Sequence, residues 1–471
     1  MKFNLSSDIR PQDDFYTYVN EKWLNDTKIP DDEQRWGAFN ELHEENLLKI
    51  KSLLESDITN SNEEFKKAGI LFNQSKELFS QGTSLSSHEN IQTPRLIVSD
   101  FLNTLNDVKL KKELDNFVLD NFARYGLSTP VSHYVYNDLK DSNNNILHLG
   151  SAGIGLPDRD FYLKDEHKED RDSYKKFMID YLQLFGLQNI DTKFIFDLEK
   201  QFAEATYTNL QRRNPLLMNN PCTVGYINTL YPEVKINKIF KFLEVKPDKI
   251  NIINPKFIKT YCELYRDIDL DQWKQYYTWL YLRKMGSFIH PITEKGLFDF
   301  YSTTLSGTKT QKPLWKRCIS KTESLVGMVV GKMFVKEHFN EASINKLEEM
   351  IGFVKEEIKL RLKNNTWMKY ETKKKGVAKL SKMNFKIGYP EKFRSFVDLN
   401  VNCENSYYKN VLACLKFETD FDNSFLYKPK DPSLWFMNPQ DVNAYYSPSF
   451  NEIVFPAGIL QDPYFSIKND I

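Results

Sequence analysis

Seven histidines are the residues best suited to hold a metal or move a proton near neutral pH, and their spacing decides what they can do. They are His43, His88, His133, His148, His167, His290 and His338. Metal-assisted peptide hydrolysis on a helix needs two His four apart on one face, with a Glu after the first to polarise the bound water. His43-Glu44-Glu45 begins such a motif, but residue 47 is Leu, and His338 has no His four residues away. The histidines are therefore expected in packing or at the surface, with no catalytic residue and no metal ligand among them. Five cysteines (Cys222, Cys262, Cys318, Cys403, Cys414) form no CxxC pair, so neither a zinc ribbon nor a dithiol redox motif is indicated. GIGLPDRD, residues 153–160, lacks the GK[ST] ending of a phosphate loop and the GxGxxG spacing of a dinucleotide site. It reads as a tight turn around Gly153, Gly155 and Pro157, with Asp158 or Asp160 capping the next helix.

Two other places offer binding chemistry. In RWGAF, residues 35–39, the Arg35 guanidinium can grip a carboxylate through two parallel hydrogen bonds. It can equally stack on Trp36 or join a surface ion pair. Near the C-terminal end, Val442, Ala444 and Tyr446 alternate with Asn443 and Tyr445, the period of a strand with two different faces. SPSFN, 447–451, supplies turn chemistry, and Ile453-Val454-Phe455 form a β-type return strand that Pro456 ends or confines to a sheet edge. An edge strand can accept an extended peptide as one more strand, and an Asn beside it adds a donor and an acceptor. The residues alone leave an ordinary hairpin and a peptide-holding edge equally open.

The elements that must position these groups are mostly helices. In residues 343–365, Ile344, Leu347, Ile351, Val354, Ile358 and Leu362 recur three or four apart, the stripe of an amphipathic helix. Residues 39–55 behave likewise through Phe39, Leu42, Leu47, Ile50 and Leu54. Residues 191–206 form another, with Asp191 as N-cap. SLVGMVVGKMFV, 324–335, is broken by Gly and Lys and fits a buried helix better than a membrane span. After about Asn423 prolines come in quick succession, which places a domain change there: a helical lobe over 1–423 and the start of a sheet-containing lobe over 424–471. At 471 residues two or three lobes are expected. Lys plus Arg and Asp plus Glu both number 64, so charge gives no reason to propose nucleic acid or an anionic membrane as partner. No signal peptide or transmembrane segment is read, and the chain is expected to be cytoplasmic with reduced thiols.

A resemblance runs along nearly the whole chain. It is carried by DDFYTYVNEKWL (13–24), RWGAFNEL (35–42), GIGLPDRDFYL (153–163) and LSGTKTQKPLWKRC (305–318). It continues through VGKMFVKEHF (330–339), KIGYP (386–390) and VNAYYSPSFNEIVFPAGILQDPYF (442–465). In these stretches the sequence resembles the neprilysin and endothelin-converting-enzyme family of zinc metallopeptidases. The resemblance implies a mainly α fold, in which a large helical cap lobe precedes a thermolysin-like α+β catalytic lobe and peptides are cleaved in the cavity between them. It implies that Asn443 and Ala444 hold the backbone of an oligopeptide substrate on an edge strand. It also implies that Arg35 meets the C-terminal carboxylate of short substrates, although Asn40 and His43 stand where relatives carry an acidic residue and an Arg.

In the family the HExxH helix, the later Glu ligand and the transition-state His all follow PAGIL, and none lies within these 471 residues. The expectation is therefore the N-terminal part of a zinc metalloendopeptidase, truncated before the zinc motif and inactive alone. Zinc belongs to the intact family enzyme rather than to these residues, and a separately encoded catalytic lobe is a possible partner. The alternative is a non-catalytic protein that binds peptides or pairs with another peptidase.

Overall fold

The computed structural model describes residues 5–81 and 94–468. His88 lies outside the described residues. Helices dominate. The first, α1 (Phe15–Asp26), is capped by Asp14, whose side chain accepts from the Thr17 N–H. It is followed by α2 (Ala38–Leu54) and α3 (Glu63–Phe79). The stripe expected on α2 is turned inward through Leu42, Leu47, Ile50 and Leu54, while Phe39 stays exposed and meets Tyr464.

Between residues 131 and 252 the chain makes a sheet that hydrophobic periodicity did not reveal. Its strands are β1 (Val131–Asn137), β2 (Asn145–Ser151), β3 (Pro221–Thr223) and β4 (Lys249–Ile252), in the order β1-β2-β4-β3. β2 is central and buried along Asn145–Leu149, so its run shows no alternation, and β3 and β4 are too short to show a period. Helix α4 (Thr192–Ala205) starts on Asp191 as expected, with the Phe194 N–H donating to its carboxylate at 2.9 Å.

Helix α5 (Leu270–Ile289) is the spine of the core. Trp273, Tyr276, Trp279 and Leu280 are all fully enclosed. Against it sits a buried carboxylate, Glu199 of α4, which accepts from the Tyr162 hydroxyl (2.7 Å), the Tyr174 hydroxyl (2.8 Å) and the Trp279 indole (3.1 Å). The GIGLPDRD turn is wrapped by the same tyrosines. The Gly155 and Leu156 N–H groups donate to the Tyr162 hydroxyl, and a Cβ on Gly155 would fall 1.7 Å from the Tyr174 hydroxyl. Of the two caps the sequence offers, Asp158 and Asp160, it is Asp158 that caps the short helix Arg159–Leu163.

Helix α6 (Leu314–His338) contains the SLVGMVVGKMFV run and is buried along most of it, with non-helical backbone at Val326. It packs on α2 and α3. A helical hairpin follows, α7 (Ala342–Asn364) and α8 (Tyr370–Ser381). The stripe expected on α7 exists, yet only Ser343 and Leu347 of the helix are buried, and Val354 and Ile358 are exposed. Next come β5 (Asn384–Gly388) and α9 (Tyr407–Asn423). The final hairpin is β6 (Tyr445–Ser447) and β7 (Glu452–Pro456). β5 runs parallel to β7 and β6 antiparallel to it, giving the order β5-β7-β6.

Candidate functional site: an edge strand beside three linked cavities

β6 is an edge strand of this sheet among the described residues. Its pairing with β7 starts at Tyr445↔Val454, so Val442, Asn443 and Ala444 precede the strand rather than lying within it. The register explains why. Continued two residues back, it would set Asn443 opposite Pro456, which has no N–H to give to a ladder. Asn443 is exposed, and its side-chain oxygen accepts from the Ala444 N–H at 2.9 Å. That bond fixes the amide beside the strand and leaves its NH2 group directed elsewhere.

Small residues in α6 bring this segment to its place. A Cβ on Gly327 would sit 2.5 Å from the Asn438 side chain, and one on Gly331 would sit 2.4 Å from the Pro439 ring. The two glycines, four apart on one helix face, let residues 438–441 lie directly on the helix. Gln440 then reaches back, donating to the Gly327 carbonyl (3.2 Å) and to Glu323 (3.0 Å). From the other side, the Asn46 side chain on α2 donates to the Gly458 carbonyl at 2.9 Å, and Lys49 to Gln461 at 3.0 Å. Beneath β7, Lys386 and the fully buried Glu452 form an ion pair at 2.8 Å, and Lys386 also donates to the Leu434 carbonyl at 2.6 Å.

Asn443 lines a cavity of about 220 Å³ with His43, Asn46, Glu323, Gln440 and Asp441. Arg35 lines a different one, of about 820 Å³, with Asn40, Arg283 and Ser324 on its wall. A third, of about 710 Å³, lies between them: it shares Ser324 with the Arg35 cavity and Glu323 and Asp441 with the Asn443 cavity. The predicted residues are thus not neighbours, but they stand at two ends of one row of cavities. Helix α2 runs beside both ends, with Asn40 in one and His43 in the other.

The charges along this row differ by end. At the Arg35 end, Lys312 is paired to Glu33 (2.6 Å), Lys316 to Glu44 (2.6 Å), and Glu294 to both Arg317 and Lys321. Arg35 is exposed and has no hydrogen bond, ion pair or ring contact among the described residues, so neither stacking on Trp36 nor a surface ion pair occupies it. Arg283 donates to the Ile154 carbonyl at 3.1 Å while its buried Nε lacks a partner. Buried Arg283 has the Glu199 carboxylate as its electrostatic partner, so among the described residues Arg35 is the guanidinium on this wall without a carboxylate. At the Asn443 end the ionisable groups are two acids, Glu323 and Asp441, and His43, whose pKa burial lowers. Burial pushes the Glu323 carboxyl up to about 7, and nearby Asp441 adds to that shift against the opposing Gln440 hydrogen bond. Asp441 is itself raised by burial.

Two of the other described histidines do local work. His148 is buried between the Asn137 carbonyl and the Asn251 amide, and His290 accepts from the Ile292 N–H at a helix start. Among the described residues no three His, Cys, Asp or Glu side chains converge as a metal site. The residues lining these cavities do not by themselves supply a ligand set for a zinc ion.

Comparison with known proteins places this geometry. The profile described as Peptidase family M13 matches residues 11–390, and a second profile of the same description matches residues 443–470. The chain belongs to peptidase family M13. Endothelin-converting enzyme 1 of Bos taurus is 30% identical over 97% of the M13 chain and 62% of its own length. Neprilysin-3 of Drosophila melanogaster is 26% identical over 98% of the chain and 62% of its own length. The chain therefore spans less than two thirds of these curated relatives. Among solved structures, the zinc metalloprotease Zmp1 of Mycobacterium tuberculosis in complex with inhibitor superposes with a TM-score of 0.88 at 28% identity, covering 99% of this chain and 70% of that one. PepO from Lactobacillus rhamnosis shares the fold, with a TM-score of 0.86 at 23% identity, covering 98% and 73%. The mainly α fold and the neprilysin-type family read from the sequence both stand. No helix among the described residues is long and apolar enough to cross a membrane.

Sequence reasoning missed Glu323, Asn46, Gln440 and Arg283. Two signals were present: the Gly327–Gly331 spacing within an apolar run, and one Arg inside the aromatic stretch YYTWLYLRKM. The other two residues carry no local mark.

Proposed function

We propose that these residues form the substrate-confining wall and the substrate-holding strand of an M13 zinc metalloendopeptidase acting on oligopeptides. The observation that carries this reading is the β6 edge, led in by Asn443 and Ala444, with Asn443 lining one end of a row of cavities and Arg35, unpaired among the described residues, lining the other. An extended peptide pairs with the free edge through its backbone, Asn443 and Ala444 hold its main chain, and Arg35 receives its terminal carboxylate. These residues bind the peptide and do not by themselves cleave it, since hydrolysis in this family rests on zinc, for which the described residues carry no ligand set. The proposed place of action is the cytoplasm, and a zinc-bearing segment, in the same chain or another, completes the lobe.

Calorimetric titration of the 471-residue chain with a short unblocked peptide tests this reading, with zinc content and cleavage measured on the same sample. Saturable binding weakened by Asn443→Ala, without chelator-sensitive cleavage, is the expected result. Stoichiometric zinc with chelator-sensitive cleavage would sink the assignment of binding alone. Absence of any binding would sink the peptide-holding role.

A further inference from the structure

The middle cavity of the row has an aromatic wall. Phe393, Phe421, Phe425, Trp435 and Phe436 line it, with Met328 of α6. The wall is joined directly to the edge strand. The Phe436 N–H donates to the Tyr445 hydroxyl of β6 at 3.1 Å, and the two rings meet edge to face with centroids 6.0 Å apart. A peptide paired on β6 therefore runs beside this wall. Its alternate side chains point to one side, and the pockets on that side set which residues are accepted.

The charges on the wall do not balance. Its cations are Arg394 and Lys392, and Lys392 is exposed. Arg394 is already engaged: it pairs with Glu418 at 2.7 Å, attracts Asp422 and lies 3.6 Å over the Phe421 ring. Asp431 accepts from the Ser433 N–H and hydroxyl. Glu323 and Asp441, on the wall shared with the Asn443 cavity, have no cation beside them among the described residues. Glu323 accepts from the Gln440 amide at 3.0 Å and Asp441 from the Asn438 N–H at 2.8 Å, and neither bond neutralises a carboxylate. His43, in the same small cavity, is held neutral near pH 7 by burial. A third acceptor is also open. Gln440 is 3% exposed and lines the Asn443 cavity, and its side-chain oxygen has no donor. A buried acceptor in that state costs stability until a donor reaches it.

A cationic head on an apolar stem answers each of these features. Its methylenes pack on the aromatic rings, the ring faces attract the charge, and the head meets the acids. A neutral apolar side chain would leave both acids unmatched, and an acidic one would be repelled. Resting on the peptidase reading above, we infer that the middle cavity is a specificity pocket for a basic side chain, lysine or arginine, of the peptide held on β6. Glu323 and Asp441 receive its charged head, and the Gln440 side-chain oxygen, beside Glu323, is the acceptor open to a further N–H. Because this cavity lies between those of Asn443 and Arg35, the basic residue is an interior one, ahead of the C-terminal carboxylate.

Calorimetric titration of the 471-residue chain with unblocked alanine-based pentapeptides tests this. Lysine is placed at each interior position in turn, beside a norleucine counterpart that keeps the stem and lacks the charge. The expected result is one position at which lysine binds about 10–100-fold more tightly than norleucine, the worth of hydrogen bonds to a charged group. Glu323→Gln, which keeps the length of the side chain, and Asp441→Asn, which keeps an acceptor for the Asn438 N–H, should each shrink that preference and together abolish it. Binding to the parent chain decides the question even where a variant fails to fold. Lysine and norleucine binding alike at every position overturns the pocket and leaves the peptide-holding reading intact. An equal lysine preference at all interior positions also overturns it, because a diffuse field rather than a pocket then attracts the charge. A preference that survives both substitutions does the same. If n-butylammonium ion binds as tightly as the lysine peptide, the cavity serves a small amine and the inference falls. No binding by any peptide sinks the peptide-holding reading itself.

Discussion

The side chain of Asn46 donates to the carbonyl of Gly458 at 2.9 Å, joining residues 412 positions apart. Asn46 is 1% exposed, and a Cβ on Gly458 would fall 2.1 Å from the Gln440 carbonyl, so the turn at Gly458 lies directly on the backbone of residues 440–441. This bond ties α2, which passes both ends of the cavity row, to the turn that follows the edge hairpin. The geometry of Asn443 therefore depends on a helix four hundred residues earlier.

Asn46→Ala removes the donor and leaves the Gly458 carbonyl buried without it. The expected cost is about 1–3 kcal/mol. Chemical denaturation measures the loss, and hydrogen exchange should show faster opening confined first to residues 443–460.

Glycine substitutions should change sign with position. Gly331→Ala places a methyl 2.4 Å from the Pro439 ring and 2.6 Å from the Gln440 side chain, so a destabilisation of about 1–3 kcal/mol is expected. Gly352→Ala in exposed α7 meets nothing within 4 Å and should stabilise by up to about 1 kcal/mol. Thermal melts of the two variants beside the parent check the pair.

The Glu323 carboxyl, raised to about 7 from an ordinary 4.5, gives stability a definite pH slope. Between those values the folded chain holds a proton that the unfolded chain has released. Stability from this group is full below the unfolded value and falls as pH rises through the folded one. Glu323→Gln should remove this group's part of the slope and should be more stable than the parent at pH 8 by roughly 3 kcal/mol. Denaturation midpoints from pH 4 to pH 8 are the measurement.

Arg35→Ala should weaken an unblocked peptide by about 10–100-fold, the worth of a charge-assisted hydrogen bond. The same peptide with a C-terminal amide should bind parent and variant alike. An equal loss for both peptides would remove the carboxylate role from Arg35.

Much of the helical framework was legible because burial on one face of a helix writes a 3.6-residue period into local sequence. The stripes of α2 and α7 and the buried Gly-broken helix were readable this way, residue type marked Asp191 as a cap, and of Asp158 and Asp160, both open as caps in the sequence, the fold uses Asp158. Periodicity did not show β1 to β4, since a central strand buried on both faces has no alternation and a three-residue strand has no period. It also gave the stripe on α7 without its fate. A stripe states that a face needs covering, and only the fold shows that the described residues leave it bare.

At the site, the sequence by itself determined the chemistry available: a hairpin with Asn443 at its mouth, a lone Arg35 beside aromatics, and no paired His for a metal. The tertiary structure decided what those residues share. It shortened β6 through the Pro456 register, made it an edge, and laid residues 438–441 on Gly327 and Gly331. It also gathered Glu323 and Asp441 into the wall linking the Asn443 cavity to the middle one. The physical reason is range. Propensity and turn chemistry act over a few residues, whereas an edge, a shared cavity wall and a raised carboxyl pKa arise only when segments hundreds of residues apart exclude water from one another.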